Sequence, residues 1–313
     1  MSRLVQSIQT VQPVLNWLKE NPKSVAPLAF LLGLTLVRRL NNGLNNWALN
    51  NIGQDRQWDW RREIVLITGG SNGIGELVAR KLAKKSVKVV VLDLRPPTTP
   101  FPANVSFYKA DVTSTEALHQ VAGAIRQEVG NPTVLVNNAG VASMRPILEE
   151  KEESVRRTFD VNCVALFILA KEFLPSMIKE NHGHVLTMAS MASFVTLASN
   201  VDYGCSKAAA LTFHEGLTQE LKHRYNAKYV RTSVVHPSWV RTPMLEPVLK
   251  RGAFMDTILE PSPVADAVVA QILGGKSGQI FLPASYSSGS MIRGFPTWFQ
   301  EMVRSSRKNV LEK

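Results

Sequence analysis

A tyrosine and a lysine four positions apart carry the strongest chemical signal in the sequence. They stand in Tyr203-Gly204-Cys205-Ser206-Lys207, and the small and apolar residues that follow predict a helix. Residues four apart project from one face of a helix, so both side chains can reach one reaction centre. A phenol ionises near ~10 in water, and a neighbouring ammonium group favours the phenolate. The pair therefore predicts a tyrosine that exchanges protons, with Lys207 as its activating cation.

Ser190 adds a hydroxyl to this reaction centre. It lies thirteen positions before Tyr203, at the end of an apolar run that begins at His184. A hydroxyl there can hydrogen-bond to the oxygen that Tyr203 protonates or deprotonates. A tyrosine four residues before a lysine also occurs by chance, so this interpretation depends on what the rest of the chain supplies.

A glycine-rich turn upstream supplies a site for a dinucleotide. Residues 63–67 are Glu-Ile-Val-Leu-Ile, apolar after the first residue as is typical of a strand buried on both faces, and residues 76–82 have helical periodicity. Between them lies Thr68-Gly69-Gly70-Ser71-Asn72-Gly73-Ile74-Gly75. Glycines let the backbone approach a diphosphate, and the helix N-terminus faces its negative charge. The alternative is a plain tight turn, which the flanking strand and helix disfavour.

Asp93 ends the next predicted strand, residues 87–92, eighteen positions after Gly75. A carboxylate there can accept hydrogen bonds from the adenosine ribose and would repel a 2′-phosphate. We therefore expect NAD to be preferred, with NADP not excluded because Arg95 lies two positions further on. Asn72 offers no positive charge at the glycine turn. The alternative is a solvated carboxylate at a strand end.

Strand and helix patterns alternate along residues 63–282, which predicts an α/β fold of the Rossmann type. Repeated βαβ units imply a doubly wound parallel sheet in a three-layer αβα arrangement. Ligands of such sheets collect beyond the carboxyl ends of the strands. Polar signals stand at those predicted ends, namely Asp111-Val112, Asn137-Asn138-Ala139-Gly140, Ser190 and His236-Pro237.

Both flanks of this region are basic. The net charge is +11; residues 1–62 hold eight Lys/Arg against three Asp/Glu, and residues 285–313 hold five against two. This distribution argues against a nucleic-acid partner for the core and favours flanks near an anionic membrane surface. The uncharged run Val25–Val37 would span about 20 Å as a helix, short of the ~30 Å hydrocarbon core. We expect an anchor lying in one leaflet, the alternative being a helix packed on the domain.

Three regions follow from these patterns. They are a membrane-anchoring segment and linker at 1–60, a catalytic domain at 61–284, and a basic amphipathic tail at 285–313. The linker includes Trp58 and Trp60, interleaved among charges as at a membrane rim. The tail carries apolar residues that could enter lipid, namely Phe295, Trp298, Phe299, Met302 and Val303.

Residues 61–284 resemble the short-chain dehydrogenase/reductase family. The motifs that carry the resemblance are the glycine turn, the Asn-Asn-Ala-Gly element and the set Asn162, Ser190, Tyr203 and Lys207. One departure is Pro237-Ser238, where the family usually has Pro-Gly. The resemblance implies a catalytic tetrad of Asn162, Ser190, Tyr203 and Lys207. No metal is expected, because His182, His184 and His236 lack the spacing of metal ligands. It implies a cofactor site formed by Thr68, Gly69, Ser71, Asn72, Gly73, Ile74, Gly75, Asp93, Asp111, Val112, Asn138, Ala139, Gly140, Tyr203, Lys207, Pro237, Val240 and Thr242.

The family resemblance also implies roles and assembly. Tyr203 would exchange the proton, Lys207 would lower its pKa and hold the nicotinamide ribose, and Asn162 would position Lys207 through a water. A homodimer is expected. The two flanks are similar to those of the membrane-anchored branch that includes epidermal retinol dehydrogenases and lipid-droplet hydroxysteroid dehydrogenases. That likeness implies location at the endoplasmic reticulum or lipid droplets, with the catalytic domain facing the cytosol.

Apolar residues stand around the expected substrate opening, namely Met191, Phe194, Leu197, Trp239, Met244, Leu245, Phe254 and Met255. They favour a lipophilic alcohol or carbonyl, such as a retinoid, a steroid or a long-chain lipid. Two alternatives remain. One is an NADPH-dependent ketone reductase of lipid or natural-product biosynthesis. The other is a non-catalytic dinucleotide-binding membrane adaptor, which would not need the tetrad.

Overall fold

The computed structural model describes residues 12–13, 16–17, 22–50, 58–250, 254 and 256–311. The chain divides into two compact units, Met1–Ile52 and Gly53–Lys313. The first unit contains helix α1 (Pro22–Asn50), whose 29 residues correspond to about 43 Å. This helix is longer than the predicted thirteen residues because Leu40, Leu44 and Trp47 continue its apolar face beyond Val37. Its described apolar side chains are exposed: Phe30, Leu31, Leu32, Leu34, Leu36, Val37, Leu40, Leu44, Trp47 and Leu49.

The second unit is built on a seven-stranded parallel sheet. Its strands are β1 (Ile64–Thr68), β2 (Lys88–Asp93), β3 (Val105–Lys109), β4 (Val134–Asn137), β5 (Gly183–Met188), β6 (Val230–Pro237) and β7 (Gly278–Leu282). The strand order is β3-β2-β1-β4-β5-β6-β7. Leu66 of β1 pairs with Val90 on one side and Leu135 on the other. The predicted doubly wound sheet is confirmed.

Helices cover both faces of the sheet. The α-helices described in the second unit are α2 (Gly73–Ala83), α3 (Thr115–Glu128), α4 (Glu152–Phe159), α5 (Ala165–Glu180), α6 (Val201–His223), α7 (Glu246–Leu249), α8 (Pro261–Leu273) and α9 (Thr297–Ser305). Those that cover the sheet are α2, α3, α5, α6 and α8. One buried cluster joins α2 and α8 to the sheet through residues such as Leu82 and Ile272. A second cluster joins α3, α5 and α6 through Leu118, Phe173 and Leu217. The three layers are therefore as predicted.

One helical stretch among the described residues is long and apolar enough to cross a membrane, Glu152–Glu180, and 44% of its most apolar part is buried. It comprises α4, a π-helical turn (Asp160–Val164) and α5. Its buried face includes Leu169 and Phe173, which belong to the core under the sheet. Its hydropathy therefore fits a core helix.

Trp58 and Trp60, which the sequence assigns to a linker at a membrane rim, pack against the core of the second unit. Their rings stack with centroids 5.1 Å apart, and Trp58 also lies 4.3 Å from the ring of His182. Both contact the buried cluster that contains Leu82 and Ile272. Burial of a large aromatic ring is favourable, and these two rings are partly buried where they pack on the open side of this cluster.

Candidate active site

A cavity of about 640 Å³ lies beyond the carboxyl ends of the strands, where the strand order reverses. Most of the residues predicted to bind the cofactor line it. They are Gly69, Asn72, Gly73, Ile74, Asp93, Asp111, Val112, Asn138, Ala139, Gly140, Tyr203, Lys207, Pro237, Val240 and Thr242. Ser190 lines it as well. Four predicted residues, Thr68, Ser71, Gly75 and Asn162, are not among the residues that line it.

The glycine turn has a backbone that side chains would disturb. Gly69 and Gly73 have φ angles of +64° and +57°, in the left-handed region that favours glycine. Gly75 is buried in α2, and a Cβ there would lie 2.5 Å from Asn138 Nδ2 and 3.0 Å from Gly70 Cα. The turn is also tied to the end of β4, because Thr68 Oγ1 accepts hydrogen bonds from the amides of Asn138 and Ala139, both at 3.1 Å.

This turn fits the diphosphate of a dinucleotide. Helix α2 begins at Gly73, so its free N–H groups face the cavity wall where the turn ends. The Ser71 hydroxyl is buried and, among the described residues, has no hydrogen-bond partner. A buried hydroxyl without a partner costs free energy, and a phosphate oxygen would relieve that cost. The residues present therefore suit an NAD(P) cofactor.

Asp93 is held firmly at the end of β2. Its Oδ2 accepts a hydrogen bond from the Ser71 amide at 3.0 Å, and its Oδ1 accepts one from the Arg95 amide at 3.2 Å. The carboxylate thus joins the glycine turn to the strand end, and it lines the cavity together with Arg95. Asp111 is similarly held, since its Oδ1 accepts from the amide and the hydroxyl of Thr113 at 2.9 and 2.7 Å.

Tyr203 and Lys207 lie one turn apart in α6, and both side chains face the cavity. Lys207 Nζ lies 5.6 Å from the centroid of the Tyr203 ring and donates to the carbonyl of Met188 at 2.8 Å. Burial lowers the pKa of Lys207 to about 8. Burial raises the pKa of Tyr203, and a hydrogen bond with the Ser190 hydroxyl opposes that rise. The phenolate of Tyr203 and the ammonium of Lys207 are both disfavoured by burial, so their ionisation depends on what fills the cavity.

Ser190 follows β5 and is oriented from two sides. Its Oγ accepts from the Ala192 amide at 3.1 Å, and its carbonyl lies 3.2 Å from His236 Nδ1. Since a carbonyl only accepts, Nδ1 carries the proton, and the Gln279 amide donates to His236 Nε2 at 3.0 Å. Burial lowers the pKa of His236 to about 4, which keeps this ring neutral. The imidazole thus connects β7 to the reaction centre.

Asn162 lies in the π-helical turn between α4 and α5. Its Nδ2 donates to the Val141 carbonyl at 2.9 Å and to Ser206 Oγ at 3.0 Å, and its Oδ1 accepts from the Val141 amide at 2.9 Å. The side-chain amide therefore ties the loop after β4 to α6, next to Lys207 in sequence. Such π-helical turns are frequent at functional sites.

The rest of the cavity wall agrees only in part with the sequence prediction. Met191, Leu197, Trp239, Met244 and Leu245 line it as expected. Phe194 does not line it, because its ring is buried 4.8 Å from that of His236. Phe254 contacts Trp239 edge-on at 5.3 Å, and Met255 lies outside the described residues.

A set of lining residues near the C-terminus was missed. They are Ser285, Tyr286, Ser288, Gly289, Val303 and Arg307. The sequence analysis expects Val303 to enter lipid, whereas Val303 and Arg307 contribute to the cavity wall. No local pattern in the sequence marks them as site residues. The alternation of apolar and basic residues there fits a membrane surface and a protein surface equally well.

The arrangement can exchange a proton at one end of a cleft whose other end suits a dinucleotide. The family model for short chain dehydrogenases matches residues 63–252. The chain belongs to this family. It is therefore an oxidoreductase of the type that acts on CH–OH groups with NAD or NADP.

Named short-chain dehydrogenases resemble this chain over most of the second unit. Dehydrogenase RED2 of Cochliobolus heterostrophus is 42% identical over 228 residues, covering 70% of this chain and 85% of that protein. Estradiol 17-beta-dehydrogenase 11 of Rattus norvegicus is 33% identical over 251 residues, covering 77% and 83%. The expected resemblance to the hydroxysteroid dehydrogenase branch is confirmed.

The fold agrees with that of solved short-chain dehydrogenases. The structure of 3-ketoacyl-(acyl-carrier-protein) reductase from Brucella melitensis, complexed with NADH, superposes with a TM-score of 0.63 at 22% identity. The match covers 70% of this chain and 96% of that one. At this identity the likeness establishes the fold alone.

Proposed function

We propose that this short-chain dehydrogenase interconverts a lipophilic alcohol and its carbonyl compound, with Tyr203 exchanging the proton. The observation that carries the proposal is the meeting of Tyr203, Lys207 and Ser190 in one wall of the cavity. A bound nicotinamide would accept or supply the hydride. An adaptor without catalysis would need the glycine turn but none of these three side chains.

Each of the three side chains has a defined part in this proposal. The Ser190 hydroxyl, which hydrogen-bonds to Tyr203, orients the substrate oxygen toward the phenol. The Lys207 ammonium, 5.6 Å from the ring centroid, favours the phenolate as the proton leaves. Asn162 holds the loop after β4 and the residue before Lys207, so it acts as a positioning residue.

The proposal predicts that Tyr203→Phe lowers kcat/KM by roughly a thousandfold, because the phenol is the proton carrier. The dissociation constant of the cofactor should change little, since the ring is kept. The matched control is Tyr225→Phe, which removes an exposed phenol that bonds Glu220. Equal turnover in both variants would contradict the proposal and favour the adaptor.

A lipophilic substrate is supported by the apolar lining. Leu197, Trp239, Met244 and Leu245 form a continuous part of the wall, and burying an apolar molecule against them is favourable. Retinoids, steroids and long-chain lipids are the classes we propose, and a relative named for estradiol supports the second. An NADPH-dependent ketone reductase of lipid or natural-product biosynthesis is the second candidate.

We propose that NAD is preferred, because the Asp93 carboxylate is held at the end of β2 where a 2′-phosphate would approach it. The measurement is fluorescence titration of wild type and Asp93→Ala with NADH and NADPH. We expect the wild type to bind NADH about tenfold or more tightly than NADPH, and we expect Asp93→Ala to remove this difference. Tighter NADPH binding by the wild type would contradict this preference. It would indicate that Arg95 binds the 2′-phosphate, and it would favour the NADPH-dependent ketone reductase.

We also propose that the first unit attaches the enzyme to a membrane, at the endoplasmic reticulum or lipid droplets with the catalytic unit in the cytosol. Support comes from the exposed apolar side chains of α1, such as Phe30, Leu34 and Trp47. Deleting residues 1–52 should release the protein from carbonate-washed membranes. Retention of the truncated protein would contradict the anchor. A homodimer remains an expectation from the family.

A further inference from the structure

The C-terminal segment, residues 284–311, forms part of the cavity wall. It begins with a 3₁₀ run (Ala284–Gly294) and continues through α9 to a final turn. Both halves contribute lining residues, Tyr286 from the first and Val303 and Arg307 from the second. The opposite side of α9 is exposed, with 69% of Trp298 and 53% of Met302 accessible to solvent. One side of this helix therefore belongs to the cavity and the other does not.

The first half of the C-terminal segment is attached next to the reaction centre. Arg293 Nη2 donates to the Ser193 carbonyl at 2.9 Å, and the Ser193 hydroxyl donates to the Lys207 carbonyl at 2.8 Å. The Gly289 backbone also lies close to Met191, because a Cβ at position 289 would lie 3.0 Å from Met191 Cε. These contacts hold the segment against the turn that follows Ser190.

The second half is attached through one carboxylate. Arg307 Nη1 contacts Asp256 Oδ2, and Trp239 Nε1 donates to the same oxygen at 3.0 Å. The Asp256 side chain is only 10% exposed, so these partners replace hydrogen bonds that water would otherwise make to it. The Arg307 guanidinium also lies 5.8 Å from the Tyr286 ring centroid. Arg307 thus connects two aromatic side chains of the cavity wall.

An apolar cluster completes the attachment. Val310 and Leu311 are 8% and 5% exposed and pack in one group with Met144, Leu245 and Val248. Leu245 itself lines the cavity. The end of the C-terminal segment is therefore packed behind the apolar wall that would contact a substrate.

We propose that Arg307 is a positioning residue that determines which lipophilic groups the cavity accepts. Through Asp256 it holds Trp239, and by direct contact it holds Tyr286, so both rings face the substrate in one arrangement. This inference rests on the proposed function, since it names the side of the site that recognises the lipophilic part of the alcohol. Without Arg307, Asp256 would keep the Trp239 N–H and the Thr257 amide as its donors, and water would have to replace the guanidinium.

The test compares Arg307→Ala with Arg304→Ala in the full-length protein. Arg304 is the matched control, because it lies one turn earlier and bonds Glu301 and Gln300 instead of Asp256. NAD-dependent oxidation is measured with estradiol and retinol as large alcohols and cyclohexanol as a small one. We expect Arg307→Ala to raise KM for the large alcohols by roughly tenfold, with kcat, the KM of cyclohexanol and NADH affinity nearly unchanged. Arg307→Lys should recover part of the loss.

A second measurement does not require turnover. Hydrogen–deuterium exchange of peptides covering residues 239–249 and 284–294 should be faster in Arg307→Ala than in Arg304→Ala. If the wild type oxidises none of the alcohols, the proposed function fails while the exchange rates still decide this inference. Indistinguishable exchange and kinetics in the two variants would overturn it, as would an equal rise in KM for cyclohexanol and the large alcohols.

Discussion

The cofactor end of the cleft and its C-terminal wall are built in different ways. At the cofactor end, the shape comes from main-chain atoms of Gly69, Gly73 and Gly75, with Thr68 holding the turn to β4. At the C-terminal wall, the shape comes from side chains such as Trp239 and Arg307, which meet from segments far apart in the chain. A backbone cradle tolerates almost no added atoms, whereas a side-chain wall can be altered one contact at a time.

This difference suits the two ligands that the ends would hold. NAD and NADP share the same diphosphate, so a rigid cradle for it serves every member of the family. Substrates differ, and a wall formed by half-buried side chains can change size without disturbing the sheet. The bound carboxylates differ too: Asp93 accepts from two backbone amides, while Asp256 accepts from two side chains and one backbone amide.

The largest effect is expected at the cofactor end, from Gly75→Ala. The added Cβ would collide with Asn138 Nδ2 and the Gly70 backbone, so we expect a loss of roughly 3 kcal/mol in unfolding free energy. NADH affinity should fall at least about tenfold. The control is Gly123→Ala in α3, where nothing lies within 4 Å, and which should stabilise by about 0.5–1 kcal/mol. Wild-type affinity and stability in Gly75→Ala would show that the cradle is less rigid than described.

A smaller effect, about 2 kcal/mol between pH 7 and pH 5, is expected next to Ser190 from protonation of His236. Burial lowers its pKa from 6.5 to about 4, so the unfolded chain binds this proton first. The contribution of the neutral His236 ring to the unfolding free energy is fully present above pH 6.5. It is lost as the pH falls from 6.5 toward 4, by roughly 3 kcal/mol in total, because the unfolded chain takes up the proton more readily than the folded one.

His236→Asn tests that loss, because Asn keeps a donor near the position of Nδ1 and cannot titrate. Urea unfolding at pH 7 and pH 5 should show a smaller decrease for the variant, by about 2 kcal/mol. The variant should still lose some stability in acid, because burial also lowers the pKa of His184 to about 3. An identical decrease in wild type and variant would mean that His236 is not held neutral.

The smallest effect is expected on the exposed side of α9. Trp298→Ser removes a ring that is 69% exposed, so unfolding free energy should change by less than about 0.5 kcal/mol and turnover should not change. Binding to vesicles that contain anionic lipid should weaken severalfold if this side contacts membrane. Val303→Ser, on the cavity side, should instead alter substrate KM. If Trp298→Ser also alters KM, the two sides of α9 are not independent.

Much of the fold could be predicted because its signals are local. Residues of β1 and β4 are buried on both faces and therefore form continuous apolar runs. Tyr203 and Lys207 could be paired because four positions of helix place two side chains together. By contrast, nothing local shows that Trp58 stacks on Trp60 against the core, or that Phe194 lies beneath His236.

The sequence by itself determined the family, the sheet and the positions of the cofactor turn and the Tyr203–Lys207 pair. These depend on periodicity, on glycine's backbone freedom and on spacing within one element, all of which are properties of neighbouring residues. Only the tertiary structure decided the substrate end, where Asp256 joins Trp239 to Arg307 and Leu311 packs behind Leu245. Such contacts join residues that are distant in the chain, and they form only after the sheet and helices have brought those segments together.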